Sequence, residues 1–217
     1  MARQPEPPSY DAARGRFLEF VKEQCVSEVI DPGGHSTAPT TRAFVPRDKL
    51  EKYFDSHRQG ELKAIMAGLK LEPGNLDHII RRYTAVFSTL LHAGRGSFIK
   101  HFARFESLAD TALPFDSASP PRNWPQSPGD PNFLVEFCQN QWPFCAPTLT
   151  NPVSNQCFED DRRLPITSKK KLRDGGSANL WLINIHPSYN KLISEEEKAA
   201  SLSRDLRRRK KREMIVH

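Results

Sequence analysis

Seven histidines and four cysteines are the side chains of this sequence best suited to metal or nucleophilic chemistry. The histidines do not form an HExxH motif, which would place two zinc ligands on one helix face. Cys138, Cys145 and Cys157 are seven and twelve residues apart, and none has a nearby histidine that could activate a thiolate. Four cysteines without a CxxC pair are typical of reduced thiols. The sequence therefore predicts neither a metal site nor a nucleophilic active site.

A second candidate is the glycine pair in Gly94, Arg95, Gly96 and Ser97, which precedes an apolar helical pattern. Backbone amides at the start of a helix can bind a phosphate group. Glycine at a helix boundary can also serve backbone geometry alone, which is its common role. We favour the second interpretation for this segment.

The third candidate is a run of six consecutive basic residues close to the C-terminus: Arg207, Arg208, Arg209, Lys210, Lys211 and Arg212. Residues 201–217 contain seven basic and two acidic side chains, so they carry five of the six net positive charges of the chain. Such a run can bind a nucleic-acid backbone, an anionic lipid surface or an import receptor. It can equally be the solvated end of a helix, and the sequence leaves these interpretations open.

Length and composition limit the elements that can position these residues. A chain of 217 residues has room for one medium domain or two small ones. It contains 18 prolines, which is incompatible with uninterrupted helices. No apolar run approaches the ~18 residues of a membrane span, and residues 1–16 lack the apolar region of a signal peptide. We expect an intracellular protein, cytoplasmic or nuclear.

Apolar residues at helical spacing dominate the first half of the chain. We expect a disordered tail over 1–10 and a helical module over 11–113, with helices beginning near Asp11, Pro46 and Gly60. One apolar face from Leu76 to Leu91 predicts a single continuous helix, and a further helix follows over 98–108. Because one-faced helices must cover one another, these segments predict a bundle that folds without the rest of the chain.

Proline and aromatic residues dominate the next segment, which we interpret as an ordered connector over 114–163. Eight prolines lie between Pro114 and Pro165. Phe133, Leu134 and Phe137 indicate a short helix from about Pro131 to Asn140 that packs on a neighbouring surface.

The pattern changes again after residue 163. Residues 166–172 can be extended, a glycine turn follows at 174–177, and the bulky apolar residues of 179–186 indicate a strand buried on both faces. A basic helix or tail is expected over 193–217, beginning at Ser194. The predicted fold is mainly α: a helical bundle, a proline-rich aromatic connector and a small β-hairpin.

The segment LPITSKKKLRDGGSANLWLINIHPSYNKL (164–192) resembles the opening of the kinase-like domain in a large group of filamentous-fungal proteins. In that group a Leu-Pro-x-Ile entry leads to a strand, a glycine-rich loop, a second strand and an Ile-His-Pro turn. Upstream, FVPRDKLEKYF, YTAVFSTLLHAGRGSFIKHFARF and FCQNQWPFCAP look like the helical region and connector that precede this domain. The resemblance covers most of residues 43–192 and implies that 164–192 form the start of a kinase N-lobe.

The resemblance also implies a degenerate nucleotide-binding loop. The glycines of GxGxxGxV allow backbone amides to approach the phosphates of ATP. On this pattern Arg173, Gly175 and Ala178 stand at the three glycine positions, and Leu180 stands at the valine that covers the adenine. Gly176 lies beside the middle glycine. The Cβ atoms of Arg173 and Ala178 oppose a close approach of the phosphates.

Phosphoryl transfer needs more than this loop. The strand-three lysine, the catalytic loop and the metal-binding aspartate of a kinase do not occur in the 217 residues. We therefore expect a truncated or degenerate relative without catalysis, cofactor or metal, which acts as an interaction or regulatory protein on protein partners. One alternative is an ATP-binding serine/threonine kinase-like protein of which this chain is the N-terminal part, with ATP bound only if the missing lobes are supplied. Another is nucleic-acid binding, or recognition by an import receptor, through the basic tail.

Overall fold

The computed structural model describes residues 8–30, 43–56, 60–126, 130–150, 158, 161–174 and 179–192. Within these residues the fold is mainly α-helical with small sheets, as the sequence predicts. The helices are α1 (Tyr10–Gln24), α2 (Arg47–Ser56), α3 (Glu61–Gly68), α4 (Leu76–Arg82), α5 (Thr84–His92), α6 (Ile99–Phe102) and α7 (Phe133–Asn140). The predicted tail up to residue 7, the predicted helix from Ser194 and the basic run over 207–212 lie outside the described residues.

Within the described ranges, five strands form two sheets: β1 (Val29–Ile30), β2 (Leu149–Thr150), β3 (Ile166–Asp174), β4 (Asn179–Ile185) and β5 (Asn190–Lys191). The first sheet has the order β1-β3-β4, with β1 parallel and β4 antiparallel to β3. In the second sheet β2 runs parallel to β5. The predicted β-hairpin is therefore present as β3 and β4. Its first strand also pairs with β1, and β5, which follows its second strand, pairs with β2.

The first helix begins one residue before the predicted Asp11. Ser9 is its N-cap, and the serine hydroxyl accepts a hydrogen bond from the amide of Ala12 at 3.3 Å. The helix packs against the end of α3, where a Cβ added to Gly68 would lie 2.5 Å from the Cβ of Tyr10. Glycine is needed at this position because the two helices approach so closely.

The prediction of one continuous helix from Leu76 to Leu91 is wrong. Helix α4 ends at Arg82, Tyr83 leaves the helical conformation with φ −131° and ψ 24°, and α5 begins at Thr84. The carboxylate of Asp110 accepts hydrogen bonds from the amides of Ala85 and Val86 at 3.1 and 3.0 Å. These amides would otherwise lack partners at a buried helix start, so a side chain distant in sequence permits the break.

The predicted helix over 98–108 is also interrupted. It consists of a 3₁₀ turn at Gly96–Phe98, the single turn of α6, and a second 3₁₀ turn at Glu106–Leu108. Its apolar side chains nevertheless face the core, since Ile99, Phe102 and Leu108 are fully buried. The apolar spacing therefore identified the buried side of this segment but not its backbone conformation.

One hydrophobic core spans the helical module and the connector. The ring of Phe102 stacks on Phe137 of α7 with centroids 5.6 Å apart, and its face meets the edge of Trp124 at 5.2 Å. The ring centroid of Phe115 lies 5.5 Å from that of Phe137 and 5.8 Å from that of Trp124. The short connector helix is confirmed as α7. The core thus crosses residue 113, where the composition of the sequence changes.

Strand β4 is not buried on both faces, contrary to the prediction from its apolar residues. Leu182 is 52% exposed and Ile183 is 40% exposed. Because these consecutive side chains point to opposite faces, both faces of the strand are partly exposed. In the described sheet β4 is the outer strand and pairs on one side only, with β3. Burial of a strand's faces requires other elements packed over them, and the exposure of Leu182 and Ile183 shows that neither face is covered at these positions in the described chain.

Candidate functional site

The structure places the two strand ends of the predicted glycine loop next to each other. Arg173 and Leu180 are paired across the hairpin, and Asp174 is paired with Asn179 one step further. Gly175, Gly176 and Ala178, the loop positions between them, lie outside the described residues. The register shifts between Lys171 and Arg173, so Leu172 occupies an irregularity in β3.

One face of the hairpin combines an apolar row with a basic row. Trp181, Ile183 and Ile185 alternate along β4, and Lys171 and Lys169 lie opposite the first two. The Nζ atom of Lys169 lies 4.5 Å from the centroid of the Trp181 ring, which is a cation–π contact. The face therefore offers both apolar surface and positive charge.

Exposed leucines occur in both strands of the hairpin. Leu182 lies opposite Lys170, and Leu172 of β3 is 52% exposed, as is Leu182. The free edge of β4 in the described sheet carries backbone donors and acceptors that a further strand can pair with. Exposed apolar side chains on both faces and an edge between them are typical of a surface that binds another chain.

The base of the hairpin is held by the start of α2. The hydroxyl of Tyr189 accepts a hydrogen bond from the amide of Arg47 at 2.9 Å and donates one to the carbonyl of Val45 at 3.4 Å. Burial raises the pKa of Tyr189 to about 12, so the hydroxyl keeps its proton at neutral pH. The hydroxyl of Ser188 donates to a carboxylate oxygen of Asp48 at 2.6 Å. The exposed strands therefore project from an anchored base.

A charged side chain extends this connection into the helical module. The guanidinium of Arg47 lies 3.4 Å from the carboxylate of Asp110, and it also pairs with Glu51 at 3.0 Å. Burial raises the pKa of Asp110, while hydrogen bonds from the amides of Val86 and Ala85 and the charge of Arg47 oppose the increase. Arg47 thus connects the base of the hairpin to the start of α5.

A cleft of about 390 Å³ lies beside α7, and it is lined by residues 114–117, by Val135, Cys138 and Gln139 of α7, and by Trp142 and Asp161. The fully buried Gln141 fixes its wall. Its side-chain oxygen accepts a hydrogen bond from the amide of Phe115 at 2.8 Å, and its side-chain nitrogen donates to the carbonyls of Phe115 and Cys138 at 2.7 and 3.2 Å. The cleft is therefore a preformed concave surface next to the aromatic core.

The cysteines and histidines do not assemble a reactive centre in the described part of the chain. Burial, with a smaller contribution from Asp116, raises the pKa of the Cys138 thiol to about 11, so the thiol is protonated at neutral pH. Nδ1 of His92 lies 3.0 Å from the side-chain oxygen of Asn140, and Nε2 of His101 donates to the carbonyl of Asn123 at 2.7 Å. Among the described residues, no group of three metal-binding side chains is arranged around a common point.

The glycine pair at residues 94 and 96 serves backbone geometry. Gly94 adopts a φ of 73° directly after α5, and the amide of Arg95 donates to the carbonyl of Leu90 at 2.7 Å. This is the usual way in which glycine ends a helix. The side chain of Arg95 pairs with Asp130 at 2.7 Å and with Glu136 at 3.0 Å. The segment therefore links α5 to the connector.

Sequence reasoning did not single out Gln141 and Asp110, the two buried polar side chains that hold these elements. In the sequence, Gln141 follows Phe137 and precedes Trp142 and Phe144. A polar residue in such an aromatic stretch is the signal that could have identified it. Asp110 gives no such signal, because its partners Ala85 and Val86 are about 25 positions away.

Comparison with known proteins gives no match to a family model, to a curated protein or to a solved structure. The kinase-like resemblance of residues 43–192 therefore rests on the short motifs themselves and stays a prediction. None of the helices in the described ranges has the length and apolar character required to cross a membrane.

Proposed function

We propose that this chain is a non-catalytic interaction protein and that strand β4 of its hairpin binds a partner protein inside the cell. The observation that carries the proposal is the exposure of Leu172, Leu182 and Ile183 on a hairpin whose base is anchored. Large apolar side chains are costly to leave in water, so their exposure on both faces of a strand with a free edge favours association with another chain.

The geometry supports strand addition as the mode of binding. The partner segment would lie along the outer edge of β4 and exchange backbone hydrogen bonds with it, while alternate side chains contact Trp181 and Ile183. Lys169 and Lys171 belong to the neighbouring strand on the same face. Their charges favour a partner segment with acidic residues between its apolar ones.

The test replaces Leu182 and Ile183 together by Thr, a β-branched residue that suits a strand, and so removes apolar surface from the hairpin. Val135→Thr on α7 is the matched control, because Val135 is 45% exposed and lies outside the hairpin. Partners would be identified by quantitative cross-linking in cells, and their affinity would then be measured with purified proteins. For the double variant we expect at least tenfold weaker binding, which is about 1.4 kcal/mol or more of binding free energy. For the control we expect unchanged binding. Equal affinity for all three proteins would reject the hairpin as the binding surface.

The second candidate is that the chain is the N-terminal part of an ATP-binding kinase-like protein. The strand–turn–strand arrangement supports it, because Arg173 and Leu180 are paired at the two ends of the glycine turn to which the resemblance assigns the nucleotide. Without the residues that hold the metal and the phosphates, we expect this chain to bind ATP weakly or not at all. Tight, magnesium-dependent binding of ATP by this chain alone, measured by calorimetry, would contradict that expectation. Binding that arises only when the missing lobes are supplied would favour this candidate over the first.

A further inference from the structure

A second cleft, with a volume of about 310 Å³, lies where α3, α4 and α6 meet. Its lining includes Lys70 after α3, Ile79 of α4, and Lys100 and Arg104 at α6. This volume is at the lower end of the range for sites that hold small molecules. The cleft shares no lining residue with the cleft beside α7 or with the hairpin.

Positive charge dominates the rim of this cleft. Lys70, Lys100 and Arg104 are all exposed, and none has a side-chain hydrogen bond or ion pair with the described residues. Among the described residues that line the cleft, Glu72 is the single acidic one, so these residues carry an excess of two positive charges. Three cations around one concavity repel one another, and a bound anion would relieve that repulsion.

The floor of the cleft is apolar and held in place by the core. Leu71 and Ile79 are 9% and 1% exposed. Lys70 adopts a φ of 53°, and this turn allows the amide of Leu71 to donate to the carbonyl of Met66 at 2.9 Å. The floor is therefore fixed, while the charged ends of the lysines stand at its rim.

The two sides of the cleft are also tied together. Nε2 of His78 lies 3.3 Å from the carbonyl oxygen of Ala103, which joins α4 to the end of α6. The same imidazole packs against the ring of Tyr83 with centroids 5.4 Å apart. These contacts keep the spacing between Ile79 on one side and Arg104 on the other.

We propose that this cleft binds a small organic phosphate. The phosphate group would lie among Lys70, Lys100 and Arg104, and the organic part would lie on Leu71 and Ile79. Arginine suits phosphate oxygens because its planar group donates two parallel hydrogen bonds, and lysine adds a point charge. The concave shape favours a compact ligand over an extended chain, and the apolar floor favours an organic phosphate over the inorganic ion.

The test measures binding to the full chain by isothermal calorimetry and by amide chemical shifts, at low ionic strength, with three probes. AMP carries both phosphate and an aromatic ring whose flat face can pack on Leu71 and Ile79. Inorganic phosphate carries only the charge, and adenosine carries only the organic part. We expect saturable binding of AMP, at least about tenfold weaker binding of the other two probes, and shifts at the amides of Leu71, Ile79 and Ala103.

Variants locate the site. The double replacement Lys100→Gln with Arg104→Gln should weaken AMP binding about tenfold or more, since it removes two of the three cations. The double replacement Lys49→Gln with Lys63→Gln, at exposed lysines of α2 and α3 outside the lining, removes the same net charge and should leave the affinity within about twofold. The proposal is overturned if AMP does not saturate, if the double and control variants lose affinity equally, or if a phosphoserine peptide binds while AMP does not.

Discussion

Asp110 and Arg14 bind opposite ends of the same helix, α5. The carboxylate of Asp110 accepts hydrogen bonds from the first turn, and the guanidinium of Arg14 donates to the carbonyls of Leu91 and His92 at 2.7 and 3.1 Å. Negative charge at the start and positive charge at the end are the signs that the helix dipole favours. Because residues 84–91 are all buried, both ends of this helix need partners from within the protein.

The contribution of Asp110 at the start of α5 to the free energy of unfolding is tested by Asp110→Ala. The amides of Ala85 and Val86 would lose their acceptor in a buried setting, so we expect a loss of about 1–2 kcal/mol in the free energy of unfolding. Chemical denaturation at pH 7 measures this difference. Asp110→Asn keeps an acceptor oxygen and should lose less than the alanine variant.

The same carboxyl group gives stability a defined dependence on pH. Burial raises the pKa of Asp110 in the folded protein, whereas in the unfolded chain the pKa is about 3.9. At pH values between these two pKa values, Asp110 is protonated when folded and ionised when unfolded. The contribution of Asp110 is therefore largest below the unfolded pKa and declines as pH rises through the folded pKa. We expect the stability difference between the wild type and Asp110→Asn to decline from about pH 4 upward. A difference that increases with pH would contradict this assignment.

The elements predicted best from the sequence are those whose burial follows a local pattern. Phe17 and Val21 of α1, and Phe133 and Phe137 of α7, lie at helical spacing, and all four are buried as expected. The break between α4 and α5 could not be predicted in this way. The apolar face continues through Tyr83, and the residue that makes the break possible is Asp110, far along the chain.

The candidate surfaces also combine features that follow from the local sequence with features that depend on distant residues. The glycine turn and its flanking strands follow from local signals in the sequence, and the structure has β3 and β4 at the expected positions. The exposure of Leu182 and the cluster of Lys70, Lys100 and Arg104 depend on which elements lie side by side. Lys70 is 30 residues from Lys100, so no local pattern predicts that it joins Lys100 and Arg104 in one cluster.

Gln141 offers a test of the cleft wall beside α7. Gln141→Leu has a similar size but leaves the amide and carbonyl of Phe115 without partners in a buried place. We expect a loss of about 1–3 kcal/mol in the free energy of unfolding, measured by chemical denaturation. Gln139→Leu is the matched control, because Gln139 is exposed on the same helix and its replacement should change stability by about 0.5 kcal/mol or less. Equal effects would show that the hydrogen bonds of Gln141 contribute little.

A pair of phenylalanine variants tests whether the connector shares the core of the helical module. Phe87 stacks on Phe54 at 5.6 Å within the module, and Phe137 is equally buried in the connector. Phe87→Ala and Phe137→Ala should each lower the free energy of unfolding by about 3–5 kcal/mol. Each variant should still unfold in one transition when followed by calorimetry and by tryptophan fluorescence. Two separate transitions would instead indicate that the connector unfolds independently.

Tyr189→Phe tests the anchored base of the hairpin. The variant keeps the ring against Phe44, where the centroids are 5.7 Å apart, and removes only the hydroxyl that binds Arg47 and Val45. We expect a loss of about 1 kcal/mol. In hydrogen–deuterium exchange the amides of β4 and β5 should exchange faster, while those of α5 serve as the internal control. Unchanged exchange in β4 would show that other contacts anchor the hairpin.

The last prediction concerns the basic run over 207–212 and rests on the sequence alone. Our hypothesis is that it directs the protein to the nucleus or adds sequence-independent binding to nucleic acid. Each duplex phosphate neutralised contributes a slope of about −0.9 to the logarithmic dependence of affinity on salt, so about four contacts would give roughly −3.6. Replacing Arg208, Arg209, Lys210 and Lys211 by Ala should flatten that slope and abolish nuclear enrichment of a fluorescent fusion. The melting temperature should change little, because a run of like charges favours solvation over packing. If enrichment and salt-dependent binding both survive the replacement, the run is the solvated end of the chain and has neither role.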